Sequence, residues 1–128
     1  MISVNATVKG EPDASPLFVT YQYQSRSDEI VLCNSIAMVR EKLGKGQRLN
    51  VYEAMIVYCA YMVSQIRDQT SDVDIERNAQ RILSSENVMI GVAESLQEIK
   101  FEATVDNFPK RHLTLNAPIG TTRPINQV

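Results

Sequence analysis

The sequence predicts an α+β fold: a helical body of three or four helices, a C-terminal β-hairpin and a strand-forming N-terminal extension. Three observations carry this. Apolar and polar residues alternate strictly near both ends of the chain, which is the period of strands with one buried face. Through the middle, apolar residues recur at helical spacing. Within that middle lies a run of ten apolar residues, Ala54 to Val63. The chain has 128 residues, the size of one domain able to bury a core without disulfides or metals.

At the N-terminus Ile2, Val4, Ala6 and Val8 alternate with Ser3, Asn5, Thr7 and Lys9. After "GEPDASP", a loop by its Gly, Pro and Asp content, the alternation resumes at Leu17, Val19, Tyr21 and Tyr23. That loop is long for a hairpin, so the two strands pair with each other, with strands elsewhere, or with another chain. A first helix begins near Ser27, with Asp28 and Glu29 favourably placed against the positive end of its dipole. Ile30, Val31, Cys33, Ile36, Ala37, Val39 and Leu43 give it an apolar side, and the glycines of "GKG" end it.

The second helix has the plainest start. Asn50 followed three residues later by Glu53 fits a capping box. From Ala54 the helix is apolar all round, so it must be covered all round. The other helices supply part of that cover, Tyr58 and Tyr61 keep their hydroxyls near the surface, and a partner subunit is the natural source of the rest. Ser71 caps a third helix carrying Val73, Ile75, Ala79, Ile82 and Leu83. "SSENVMIG" reads as a short turn capped by Ser84 or Ser85 and closed by Gly91, and "VAESLQEI" adds one more. Ile99, Phe101, Ala103 and Val105, then Leu113 and Leu115, form the two strands of the hairpin. "APIGTTRPINQV" has two prolines and no period, and reads as a surface arm. The chain thus divides into an extension over residues 1–26, a body over 27–119 and a tail over 120–128.

Composition excludes several function classes. Apolar residues make up 44% and charged residues 22%, as in globular proteins. Thirteen basic residues are scattered among fifteen acidic ones, for a formal charge of −2, which is no electrostatic footprint for nucleic acid. "MISVNATVKG" lacks a basic region followed by an apolar run, so it is no secretory signal. Ala54 to Val63 falls well short of the roughly 20 residues that span a bilayer. These features point to a cytoplasmic protein.

The candidates for chemistry are few. Cys33 and Cys59 fall in apolar helical stretches and read as reduced core thiols rather than as metal ligands or a nucleophile. His112 is the only histidine and stands at a polar strand position, without partners at ligand spacing. Gly44 and Gly46 lie between two helices and lack the strand-to-helix context of a phosphate loop. "SDVDIE" has no central glycine and reads as an acidic helix start rather than a calcium loop. Glu94, Glu98 and Glu102 are too far apart to form a catalytic pair. No catalytic, cofactor-binding or metal-ligating residue is assigned.

From Ile30 to Ile119 the chain resembles the small gamma subunit of bacterial urease. The resemblance is carried by "RLNVYEA" at Arg48 to Ala54, by Arg67 and Asp68 after the second helix, by "ILSSENVMIGVAESLQEIKFEATV" at Ile82 to Val105, and by "LTLNAPI" at Leu113 to Ile119. It implies a helical body followed by a hairpin. It also implies a non-catalytic structural subunit of a nickel amidohydrolase that hydrolyses urea to ammonia and carbamate, with nickel and its ligands in the large alpha subunit. The implied partners are urease-like alpha and beta subunits in a trimeric assembly. The Gly44–Gly46 turn, the hairpin and the C-terminal arm are the expected contact surfaces. The chain departs from the family pattern in four places: an extension precedes the first helix, "DNFPKR" replaces a Pro-Asp-Gly turn, Gln69 stands where glycine is usual, and Asn116 where histidine is usual. The extension suggests an alternative, a stand-alone oligomeric scaffold or interaction module that self-associates by strand addition.

Overall fold

A computed structural model of the chain describes residues 2–10, 21–23, 26–106 and 108–119. Leu17, Val19 and the arm over 120–128 lie outside the described residues. The elements are β1 (Ile2–Lys9), β2 (Tyr21–Tyr23), α1 (Arg26–Gly44), α2 (Val51–Arg67), α3 (Asp72–Asn78), two 3-10 turns (Ala79–Arg81 and Ser85–Asn87), α4 (Val92–Ser95), β3 (Glu98–Val105) and β4 (Arg111–Asn116). The fold is α+β, as the sequence predicts.

The strands form one antiparallel sheet in the order β2-β1-β3-β4. Its register turns the period-two pattern of three strands into continuous apolar rows. Ala6 lies opposite Phe101 and Phe101 opposite Leu113; Val8 lies opposite Ile99 and Ile99 opposite Leu115. All six are buried. The other face carries Ser3, Asn5, Thr7, Lys100, Glu102 and Thr104, so a slip of one residue would send every apolar side chain to the wrong face.

The helices pack on the apolar face, α2 against α1 and β1, and α3 against β4. Asn50 Oδ1 accepts a hydrogen bond from the Glu53 amide at 2.9 Å, while Glu53 Oε1 accepts from the Asn50 amide at 2.9 Å, which is the expected capping box. Lys42 Nζ reaches both oxygens of the same carboxylate, at 2.9 and 2.8 Å, and ties the end of α1 to the start of α2. Burial pushes the Glu53 carboxyl up, but the Asn50 amide and the Lys42 ammonium together hold it below the usual glutamate value.

The apolar run is enclosed by its own chain. Between Ala54 and Val63 no residue is exposed: Ile56, Ala60 and Tyr61 are half-buried and the other seven are buried. The expected cover from a partner is therefore not required for α2. Tyr61 keeps its hydroxyl near the surface and donates it to the Ile75 carbonyl at 2.7 Å. Tyr58 does not: it is fully buried and its hydroxyl has no hydrogen-bond partner. Burial alone pushes that phenol far up.

On α1 the helical period is correct but the buried face is rotated. Leu32 and Val39 are buried, with Ile36 and Leu43 packed beside them, whereas Ile30, Val31, Cys33, Ala37 and Met38 are exposed. Cys33 is thus a surface thiol, and only Cys59 is a core one. On α3, likewise, Ile75 is buried and Val73 is exposed.

The two long helices end in the same way. At α1 the Gly46 amide donates to Leu43 and the Gln47 amide to Lys42. At α2 the Gln69 amide donates to Ile66 and the Thr70 amide to Gln65. Both are Schellman closures with the penultimate donor in the left-handed region, Gly46 at φ 74° and Gln69 at φ 58°. Glycine tolerates that conformation and glutamine is strained by it.

Three substitutions test these placements. Tyr58→Phe removes a buried hydroxyl that makes no bond, so urea denaturation should show stability unchanged or raised by up to about 1 kcal/mol. Gln69→Gly should raise stability by about 0.5–1 kcal/mol, while Gly46→Ala lowers it by about 1 kcal/mol. A gain on Gly46→Ala would contradict the closure described.

Candidate docking surface

The residues with chemical potential are kept apart by the fold. His112 is exposed on β4, on the polar face, with Nδ1 3.8 Å from Glu102 Oε1. Cys59 is buried within α2. Cys33 lies on α1, which packs on α2 and β2, whereas β4 forms the opposite edge of the sheet. Neither thiol has His112 as a base. Glu98 and Glu102 project from the polar face of β3, with Lys100 placed between them, 3.5 Å from Glu98, and Lys110 3.7 Å from Glu102. Glu94 lies on α4.

Other sequence candidates take structural places. Gly44 ends α1 and Gly46 closes it. "SDVDIE" opens α3: the Ser71 hydroxyl accepts from the Asp74 amide at 3.3 Å, Asp72 is held by Arg111, and Asp74 is held by Arg77. Among the described residues, no three His, Cys, Asp or Glu side chains are grouped so as to hold a metal ion.

What the fold does present is surface. Along the outer side of α1, Ile30, Val31 and Met38 are 55%, 60% and 70% exposed, with Ala37 beside them. Exposed apolar residues spaced over about two turns of one helix are costly in water and mark a candidate contact face. At the N-terminal end of α2, a parallel bridge between Leu49 and Val88 fixes the turn that carries Met89 and Ile90, and Ile90 is almost fully exposed. At the other end of α2, a cleft of about 530 Å³ opens between Ile66, Thr70 and the hairpin turn, with Val105, Phe108, Pro109 and Arg111 on its walls. Lys45 and Gly46 at the interhelical turn, and Phe108 at the hairpin turn, are exposed.

Both outer edges of the hairpin are engaged by the chain's own elements. β1 pairs along the whole of β3. On the far side, Arg111 bonds Asp72 and the Thr70 carbonyl, the Thr114 amide donates to Glu76 Oε2 at 3.0 Å, and Gln80 Nε2 donates to the Asn116 carbonyl at 3.0 Å. Asp72, Glu76 and Gln80 stand at four-residue spacing, so one side of α3 and its 3-10 extension lies along β4 and takes the Thr114 amide and the Asn116 carbonyl of its open edge. That spacing is visible in the sequence, but nothing there shows which strand it faces.

The family described as "Urease, gamma subunit" matches residues 22–119. The urease subunit gamma of Methylocella silvestris is 32% identical over 92 residues, covering 72% of this chain and 91% of the relative. That of Halalkalibacterium halodurans is 32% identical over 82 residues, covering 64% of this chain and 81% of the relative. That of Saccharopolyspora erythraea is 27% identical over 92 residues, with 72% and 91% covered. The matched span holds part of β2, all the helices and both hairpin strands, and the chain belongs to the urease gamma-subunit family.

Proposed function

We propose that this chain is the non-catalytic small subunit of a urease or urease-like nickel amidohydrolase, which hydrolyses urea to ammonia and carbamate in a large partner subunit. The observation that carries the reading is the family match over the entire helical body and hairpin, residues 22–119. On this reading nickel belongs to the large partner subunit and this chain supplies no ligand to it. The partners are urease-like alpha and beta subunits in a trimeric, cytoplasmic assembly. Residues 27–119 form the docking body, 1–26 an extension and 120–128 a tail.

The outer side of α1 is the docking face this reading favours, because Ile30, Val31 and Met38 offer apolar area that the chain itself does not cover. The alternative, a scaffold that joins its own copies through the N-terminal strands, rests on β1 being available for another chain. β1 instead pairs with β3 of its own chain, and this favours the urease reading.

Co-expression with the large and medium urease-like subunits of the same source tests the proposal by native mass, nickel content and urea turnover on the same fractions. All three chains should elute in one large nickel-containing, urea-hydrolysing complex. Val31→Asp with Met38→Asp should lower recovery of this chain in that complex by about tenfold or more while leaving its own fold intact. A metal-free homo-oligomer that binds neither subunit would overturn the proposal.

A further inference from the structure

β1 occupies an unexpected position for a segment outside the family match. It lies between β2, whose Gln22 and Tyr23 fall within residues 22–119, and β3, which lies wholly within them. The match to the Methylocella silvestris subunit covers 91% of that protein. Too little of it remains outside the match to hold a counterpart of residues 1–21. A strand that precedes the span of the family match thus lies in the middle of the sheet.

The strand is fully integrated. All of β1 pairs with all of β3, from Ile2 opposite Val105 to Lys9 opposite Glu98. On the apolar face Val4 meets Ala103, Ala6 meets Phe101 and Val8 meets Ile99, all buried. At the centre of the pairing small Ala6 lies opposite large Phe101, and a shift of register would lose that match. Without β1, β3 would present eight residues of open edge above an apolar row, the arrangement that accepts an added strand. The other edge of the same hairpin is already occupied by α3 side chains.

We infer that the edge of β3 that β1 occupies is a strand-acceptor site. Its ligand class is an extended peptide with small apolar residues at alternate positions, and residues 2–9 of this chain are its resident ligand. While β1 is in place, no partner subunit can add a strand there. The inference rests on family membership and on the sheet, not on the urease reading, and its test uses no partner subunit.

A protease recognition sequence placed within residues 11–20 of the full-length chain allows β1 to be cut from the body after folding. The cut N-terminal peptide should remain bound through gel filtration. A labelled synthetic peptide of residues 1–10 should then replace it at least about tenfold better than the same peptide carrying Val4→Asp and Ala6→Asp. Departure of the cut peptide with the body keeping its monomeric mass and unfolding midpoint would overturn the inference. Equal competition by the two peptides would do so as well.

Discussion

Ten apolar residues in succession on α2, Ala54 to Val63, oblige the rest of the chain to enclose a helix that has no polar side of its own along that run. The sheet covers one side through Val4, Ala6, Val8, Phe101 and their neighbours, and α1 covers another through Leu32, Val39 and the side chains packed beside them. Ile75 and Ala79 lie in the same core. Tyr61 shows how the boundary is managed, since its ring is half-buried and its hydroxyl caps the Ile75 carbonyl. Every other element is placed with respect to this helix.

The ends of α2 convert that central position into the geometry of the surfaces. At its start, the Asn50–Glu53 capping box and the Lys42 ion pair set the turn from α1, and the Leu49–Val88 bridge sets the loop that carries Ile90. At its close, the left-handed Gln69 sends the chain towards α3, whose Asp72, Glu76 and Gln80 then reach β4. At φ 58° Gln69 adopts a conformation that glycine would take without strain.

Much of this was legible in the sequence because the signals are local. Alternation located β1, β3 and β4, and residue type with spacing located the caps at Asn50 and Ser71 and narrowed the next to Ser84 or Ser85, of which Ser84 is the cap. What was not legible depends on how elements face one another. The buried side of α1 was misassigned in part because Ile30, Val31 and Ala37 are apolar yet exposed, so hydrophobicity alone put them on the inner face and placed Cys33 in the core. Tyr58 was expected at the surface because its hydroxyl has a polar need, and packing overrode it. The central place of β1 follows from long-range pairing that no local pattern encodes. For the candidate site, the family motifs were readable residue by residue, whereas the apolar face of α1 emerged only with the packing.

The account holds that α2 is enclosed by its own chain and that partners dock on surfaces this enclosure leaves outside. Hydrogen–deuterium exchange on the isolated chain tests it directly. The account predicts that the amides of Ala54 to Val63 are the slowest to exchange in the chain alone, opening only with global unfolding. Fast exchange of that segment in the isolated chain, with protection gained only on adding a partner subunit, would contradict it.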